Sequence, residues 1–175
     1  MNAQPHSFDS VQTQSAPVDT SRLYQQGIVA GTIGAATIAL WYFILDLFKA
    51  SPLLTPTVLG TALLKGTEAL SMSERLVVSA DVVVWFTFVH WLVFATLGCI
   101  ASRLLGLAER NANLGFGILL LFVVFEFGFI GGVTLFAEPV LHTLAWPTIL
   151  IGNLLAAMTM GLYFWRRHPQ LSIWP

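Results

Sequence analysis

Three polar side chains stand isolated in long apolar stretches: His90, Glu126 and Asn153. Residues of these types can relay a proton, hold a cation or ligate a metal. In lipid an ionised side chain at a helix centre costs about 2.5–3.5 kcal/mol, so such groups face a bundle interior or a cavity. If the stretches are helices of alternating direction, the rise of about 1.5 Å per residue puts all three at one depth to within roughly 5 Å. Three chemistries follow. The three side chains can satisfy one another and lock a bundle. Glu126 and His90 can form a proton or ion pathway, with the acid neutral or paired to a protonated imidazole. His90 can also act as an axial ligand to a haem or chlorin, or bind another metal. A b-type haem usually takes two histidines at matched depth, and only His90 lies deep in an apolar stretch. Carboxylate-bridged metal sites use repeated Glu-x-x-His pairs, and the sequence has none. Glu138 and His142 are spaced as metal ligands on one helical face, but Pro139 between them favours a solvated loop end. No cofactor is required by the sequence, and its identity, if there is one, is unknown.

Glycine supplies a second pattern. Gly27, Gly31 and Gly34 share one small face, and Gly128 and Gly132 form a small-xxx-small pair, the spacing that lets membrane helices approach closely. At 100° per residue the second pair lies away from Glu126. That segment would then use two faces, one toward the polar layer and one toward another helix or subunit. Cys99 is the sole cysteine and sits in an apolar run, which reads as a small packing residue. Phe116, Phe122, Phe125, Phe127, Phe129 and Phe136 point in all directions around one helix, as lipid-facing packing requires.

The elements that must carry these residues follow from composition. Of 175 residues 56% are hydrophobic and 10% are charged, against about 25% charged in soluble domains. A surface bathed in lipid does not need more. The net charge of −1 gives no footprint for nucleic acid. Four apolar stretches reach the length of about 20 residues needed to cross a hydrocarbon core: residues 26–48, 81–104, 114–136 and 143–165. Helices are the expected form, because lipid leaves backbone groups no outside partner. The predicted fold is therefore all-α, an integral membrane four-helix bundle, with residues 26–165 as its membrane domain. Residues 1–25 read as a flexible polar tail without a signal sequence, and residues 166–175 as a short C-terminal tail. Short turns make the second and third spans antiparallel neighbours, and likewise the third and fourth. Pro147 either kinks the fourth span or marks its first turn.

Between the first two spans lies a segment of different character. Thr55-Pro56 reads as an N-cap and first helical residue. Val58, Leu59, Ala62 and Leu63 then share a face, and Gly66 offers a stop. This predicts a short amphipathic interfacial helix over residues 55–66. Ser71-Met72-Ser73-Glu74 fits a capping box, so the second helix is expected to start near Ser73 and project beyond the bilayer. Positive residues set the orientation: Arg22, Arg103, Arg110, Arg166 and Arg167 on one side, Lys49, Lys65 and Arg75 on the other. Both termini are then cytoplasmic. Trp85 and Trp146 mark the outer boundary; Tyr163 and Trp165 mark the inner one.

The end of the first span and the loop after it carry a likeness. Trp41-Tyr42-Phe43, Asp46, Pro52-Leu53-Leu54-Thr55-Pro56, Leu59-Gly60 and Leu63 resemble small bacterial four-helix inner-membrane proteins with a Pro-Leu, Thr-Pro, Leu-Gly loop after the first helix. Phe125-Glu126-Phe127, Asn153-Leu154-Leu155-Ala156-Ala157 and Met160-Gly161 are similar too. The resemblance covers roughly residues 26–165 and implies a bacterial inner membrane. It brings no activity with it.

No nucleotide-binding loop, nucleophile elbow or paired carboxylates occur, and the protein is expected not to be an enzyme. The sequence instead points to a structural or accessory subunit of a larger membrane complex, of respiratory or photosynthetic type. Its partners would be membrane lipid and neighbouring subunits or further copies of itself. A small transporter or proton-conducting protein using Glu126 and His90 is the alternative. A haem- or pigment-binding protein using His90 is the third.

Overall fold

The computed structural model describes residues 20–66, 68–71, 78–108 and 146–167. Glu126, Gly128, Gly132, Glu138, His142 and the third apolar stretch lie outside them. All regular structure among the described residues is helical: α1 (Thr20–Phe48), α2 (Leu54–Lys65), α3 (Glu68–Ser71), α4 (Ala80–Ala108) and α5 (Trp146–Arg167). Three of these, α1, α4 and α5, are long and apolar enough to cross a membrane.

α1 lies between α4 and α5 and runs antiparallel to both. Tyr24 meets Arg103 near one end, and Gly31 meets Ala95 further in. On the other side Thr37 meets Thr159 and Trp41 meets Thr148. The core has an unusual composition for a soluble protein. Its buried apolar residues are chiefly small, Ala30, Ala35, Ala95 and Ala156, while Leu40, Phe48, Val84, Trp85, Leu154 and Met158 are exposed. That inversion suits lipid, where large apolar side chains gain nothing by hiding and helix association relies on close backbone approach.

Element ends differ from the sequence expectation in three places. α1 begins at Thr20, so residues 20–25, assigned above to the tail, are helical. Ser21, Arg22, Tyr24 and Gln25 are exposed there, and a polar turn can continue a helix beyond its apolar span. α4 begins at Ala80, not near Ser73. Ser79 stands before it, its carbonyl accepting the Val83 N–H at 3.1 Å and its hydroxyl donating to the Asp81 carboxylate. Ser71 instead ends the single turn α3.

The third difference concerns the start of α2. Leu53, not Thr55, holds the cap position, with a left-handed backbone (φ 66°). Ala50 is left-handed too (φ 52°). Such conformations cost a non-glycine residue of order 1 kcal/mol or more, and persist where surrounding bonds over-determine them. The chain needs both to reverse between Phe48 and Leu54. α2 then packs against α4 through Gly60, where a Cβ would stand 2.6 Å from Val82 Cγ1. Its buried residues are Thr55, Thr57, Val58, Gly60 and Thr61. Of the expected apolar face only Val58 is buried, and Leu63 is exposed. Polar threonines can face inward because the Thr57 hydroxyl bonds its own backbone, donating to the Leu53 carbonyl at 2.7 Å.

Candidate functional site

His90 occupies the half of α4 nearer α2. Phe86 and Phe94, one helical turn to either side, flank its ring. The Phe86 ring is nearly parallel at 5.8 Å between centroids, and Phe94 meets it edge-on at 4.9 Å. Both phenylalanines are held from outside the helix. A Cβ on Gly60 would come within 3.1 Å of Phe86 Cβ, and one on Gly34 within 2.9 Å of Phe94 Cδ1. The imidazole Nε2 is buried and has no hydrogen-bond partner among the described residues. An unmet polar atom in an apolar setting costs about 1–3 kcal/mol, so Nε2 is poised to accept or donate a bond, as is the Ser102 hydroxyl nearer the other end of α4, likewise buried and unmet among the described residues.

Asn153 is half-buried on α5. Gly152 beside it packs on Trp41, which sets Asn153 level with the Leu40–Trp41 turn of α1. The Gly31–Ala95 contact sets His90 level with about Ala35 or Ala36. The two side chains therefore differ in depth by about five residues, roughly 7 Å along α1. Among the described residues no group of three His, Cys, Asp or Glu is arranged to hold a metal ion.

The glycines of α1 lie where helices touch. A Cβ on Gly27 would fall 2.4 Å from Cys99 Cα, and one on Gly31 2.2 Å from the Phe94 carbonyl oxygen. From the other side, a Cβ on Gly98 would fall 2.1 Å from the Gly27 carbonyl oxygen. These are backbone obstacles that no rotamer change relieves. Gly34 turns toward both neighbours, with Met160 Sδ 2.5 Å from its would-be Cβ. Gly98 was not singled out from sequence. Its signal was available, since Gly98 and Ser102 repeat the small-xxx-small spacing and Ser102 is fully buried.

Polar contacts tie the long helices together, among them Arg103 of α4 donating to the Tyr24 hydroxyl of α1. The Trp41 indole N–H donates to the Thr148 carbonyl at 3.0 Å. That of Trp91 donates to the Thr32 hydroxyl at 3.0 Å, which in turn donates a hydrogen bond to the Ile28 carbonyl at 2.8 Å. The hydroxyls of Thr37 and Thr159 meet at 3.1 Å.

A further polar feature lies outside the helix seams. Asp46 is fully buried. Its carboxylate accepts the Thr55 N–H at 2.7 Å on one oxygen and the Thr55 hydroxyl at 2.7 Å on the other. A carboxylate against the first turn of α2 satisfies a free N–H and the helix dipole together. The sequence reading gave Thr55 a capping role. The cap is supplied to Thr55 by Asp46, a pairing across a reversed chain that no local pattern announces.

Comparison with protein-family models, with curated proteins and with solved structures yields no match. The bearing of the chain on function therefore comes from its own geometry: a glycine-lined helix crossing, a latched short helix, and a buried imidazole.

Proposed function

We propose that this is a non-catalytic multi-pass membrane protein, a structural or accessory subunit working through helix contacts in a larger membrane assembly. The observation that carries this reading is the division of labour on α1, α4 and α5. Glycines, alanines and hydroxyl or indole contacts hold the helices to one another, and many large apolar side chains are turned outward, Trp85 being 58% and Leu154 57% exposed. Such a surface suits lipid and neighbouring apolar helices alike. We read residues 114–136 as a fourth span on their apolar length, residues 55–66 as lying at the outer interface, and the location as a bacterial inner membrane with both termini cytoplasmic, on the arginine bias. The experiment is purification from native membranes in mild detergent with a native mass measurement. Co-purifying membrane subunits, or a defined higher mass, are expected. A monodisperse monomer without partners overturns the reading.

The buried, unpartnered Nε2 of His90 favours a second reading: a proton-conducting or small transport protein in which His90 and Glu126 exchange a proton. Reconstituted into proteoliposomes, Glu126→Gln would then abolish flux, and unchanged flux eliminates this route. A visible absorption spectrum of the purified protein tests the haem or pigment alternative directly.

A further inference from the structure

The antiparallel register brings the start of α1 and the ends of α4 and α5 to one end of the molecule. Contacts of Gly27 with Cys99 and of Gly31 with Ala95 set Arg103 level with Tyr24. Contacts of Gly34 with Met160 and of Trp41 with Gly152 set Arg166 and Arg167 level with about Gly27 and Ile28. Arg22 lies on α1 itself. The four arginines span about six residues of helix, roughly 9 Å of depth, and all four are exposed.

Charge is divided sharply along the helices. At this end the described residues include four arginines, and Asp19 and Glu109 adjoin them in sequence just beyond α1 and α4. The opposite end carries Lys49 and Lys65 against Asp46, Glu68 and Asp81, a sum of −1. Two of the arginines are braced by aromatic rings. The Arg103 guanidinium sits 4.7 Å over the centre of the Tyr24 ring and donates to the Tyr24 hydroxyl. Arg167 sits 5.7 Å over the centre of the Tyr163 ring. Stacking on an aromatic face fixes a guanidinium while leaving most of its donors free, so less freedom is lost when it grips an anion. Tyrosine also belongs at the headgroup level of a bilayer.

We propose that Arg103, Arg166 and Arg167 bind the phosphates of anionic phospholipids in the leaflet at this end. Phosphate is the anion that the guanidinium fork fits with two parallel bonds. A basic surface at the ends of membrane helices meets it at this depth without any soluble ligand having to be supplied. The site is independent of whether the protein is an accessory subunit or a transporter.

The test is lipid retention by the full chain, measured by native mass spectrometry in detergent titrated with phosphatidylglycerol or phosphatidylcholine. Phosphatidylglycerol should be retained preferentially, with affinity falling about fivefold for each arginine removed in the series Arg166→Gln, Arg166→Gln/Arg167→Gln and Arg103→Gln/Arg166→Gln/Arg167→Gln. Lys49→Gln/Lys65→Gln, at the opposite end, should leave retention unchanged. Should the triple variant lose its helical circular dichroism, the wild-type protein still decides, because retention must weaken as salt is raised. Equal retention of the two lipids overturns the proposal and assigns the arginines to pairing within the protein. So does retention indifferent to salt, or undiminished in a folded triple variant.

Discussion

Asp46 shows how much one side chain can determine when it has no route to water. Its two carboxylate oxygens take up both the backbone and the side-chain donor of Thr55, across a turn containing two left-handed non-glycine residues. Removing the acceptor leaves two buried donors unmet, each costing about 1–3 kcal/mol. Asp46→Ala should therefore lower the thermal midpoint in detergent and open residues 49–66 to limited proteolysis, while α1, α4 and α5 keep their helical signal. Unchanged cleavage in this segment would remove the latch from the account. Asp46→Asn is expected to be milder, because an amide oxygen can still accept one of the two bonds.

The glycines belong to the same scale but act by what they lack. At Gly98 any side chain meets the Gly27 backbone, and the helices must part for it to fit. Gly98→Val should abolish stable folding or lower the detergent midpoint by many degrees. Gly161 has nothing within reach of an added Cβ, so Gly161→Ala should be silent or slightly stabilising, given alanine's better helix propensity. A silent Gly98→Val would contradict the close crossing.

At the scale of elements, what matters is register. α1 is the shared partner: α4 rides on its glycine face and α5 on its threonine and tryptophan face. The Leu23–Gly106 contact, where a Cβ on Gly106 would lie 3.5 Å from the Leu23 side chain, gives a direct check. In a Cys99→Ala background, Leu23→Cys/Gly106→Cys should cross-link readily with a short bifunctional reagent, and Leu23→Cys/Val83→Cys, with Leu23 level with the far end of α4 from Val83, should not. The position of α2 is likewise a matter of packing. Its threonine and glycine face is fitted to Val82 and Phe86 at the start of α4, and Phe86 in turn stacks on His90. A bulkier residue at position 60 should thus disturb the imidazole as well as α2. Gly60→Leu is expected to shift the His90 ring resonances in a selectively labelled sample.

For the molecule as a whole, the solvent decides the architecture. With 56% of the residues hydrophobic and the large ones outward, the protein should remain dispersed in detergent or bilayer and precipitate without them. Stable dispersion in plain buffer would refute a membrane location. The helical class and three of the four apolar stretches were legible beforehand, because apolar length is a local property. The start of α4 was not. A capping box near Ser73 competes with another serine only a few residues on, and local chemistry alone does not choose between them. The inward face of α2 was misread for a related reason. Hydrophobicity assigns the buried side when water is the alternative, but beside a membrane a satisfied threonine packs inward as readily as leucine.

Sequence by itself determined that this chain builds long helices for an apolar solvent, since length and hydropathy settle how backbone groups must be satisfied. It also determined that His90 would be conspicuous there, since a lone imidazole in such a stretch has few polar neighbours. Only the tertiary structure decided that Gly98 is the counterpart of Gly27 and Gly31, that Asp46 caps α2 through Thr55, and that arginines from three separate helices share one end. Those pairings depend on the direction and offset of helices distant in sequence. Close packing fixes that offset, and no periodicity within a single helix encodes it.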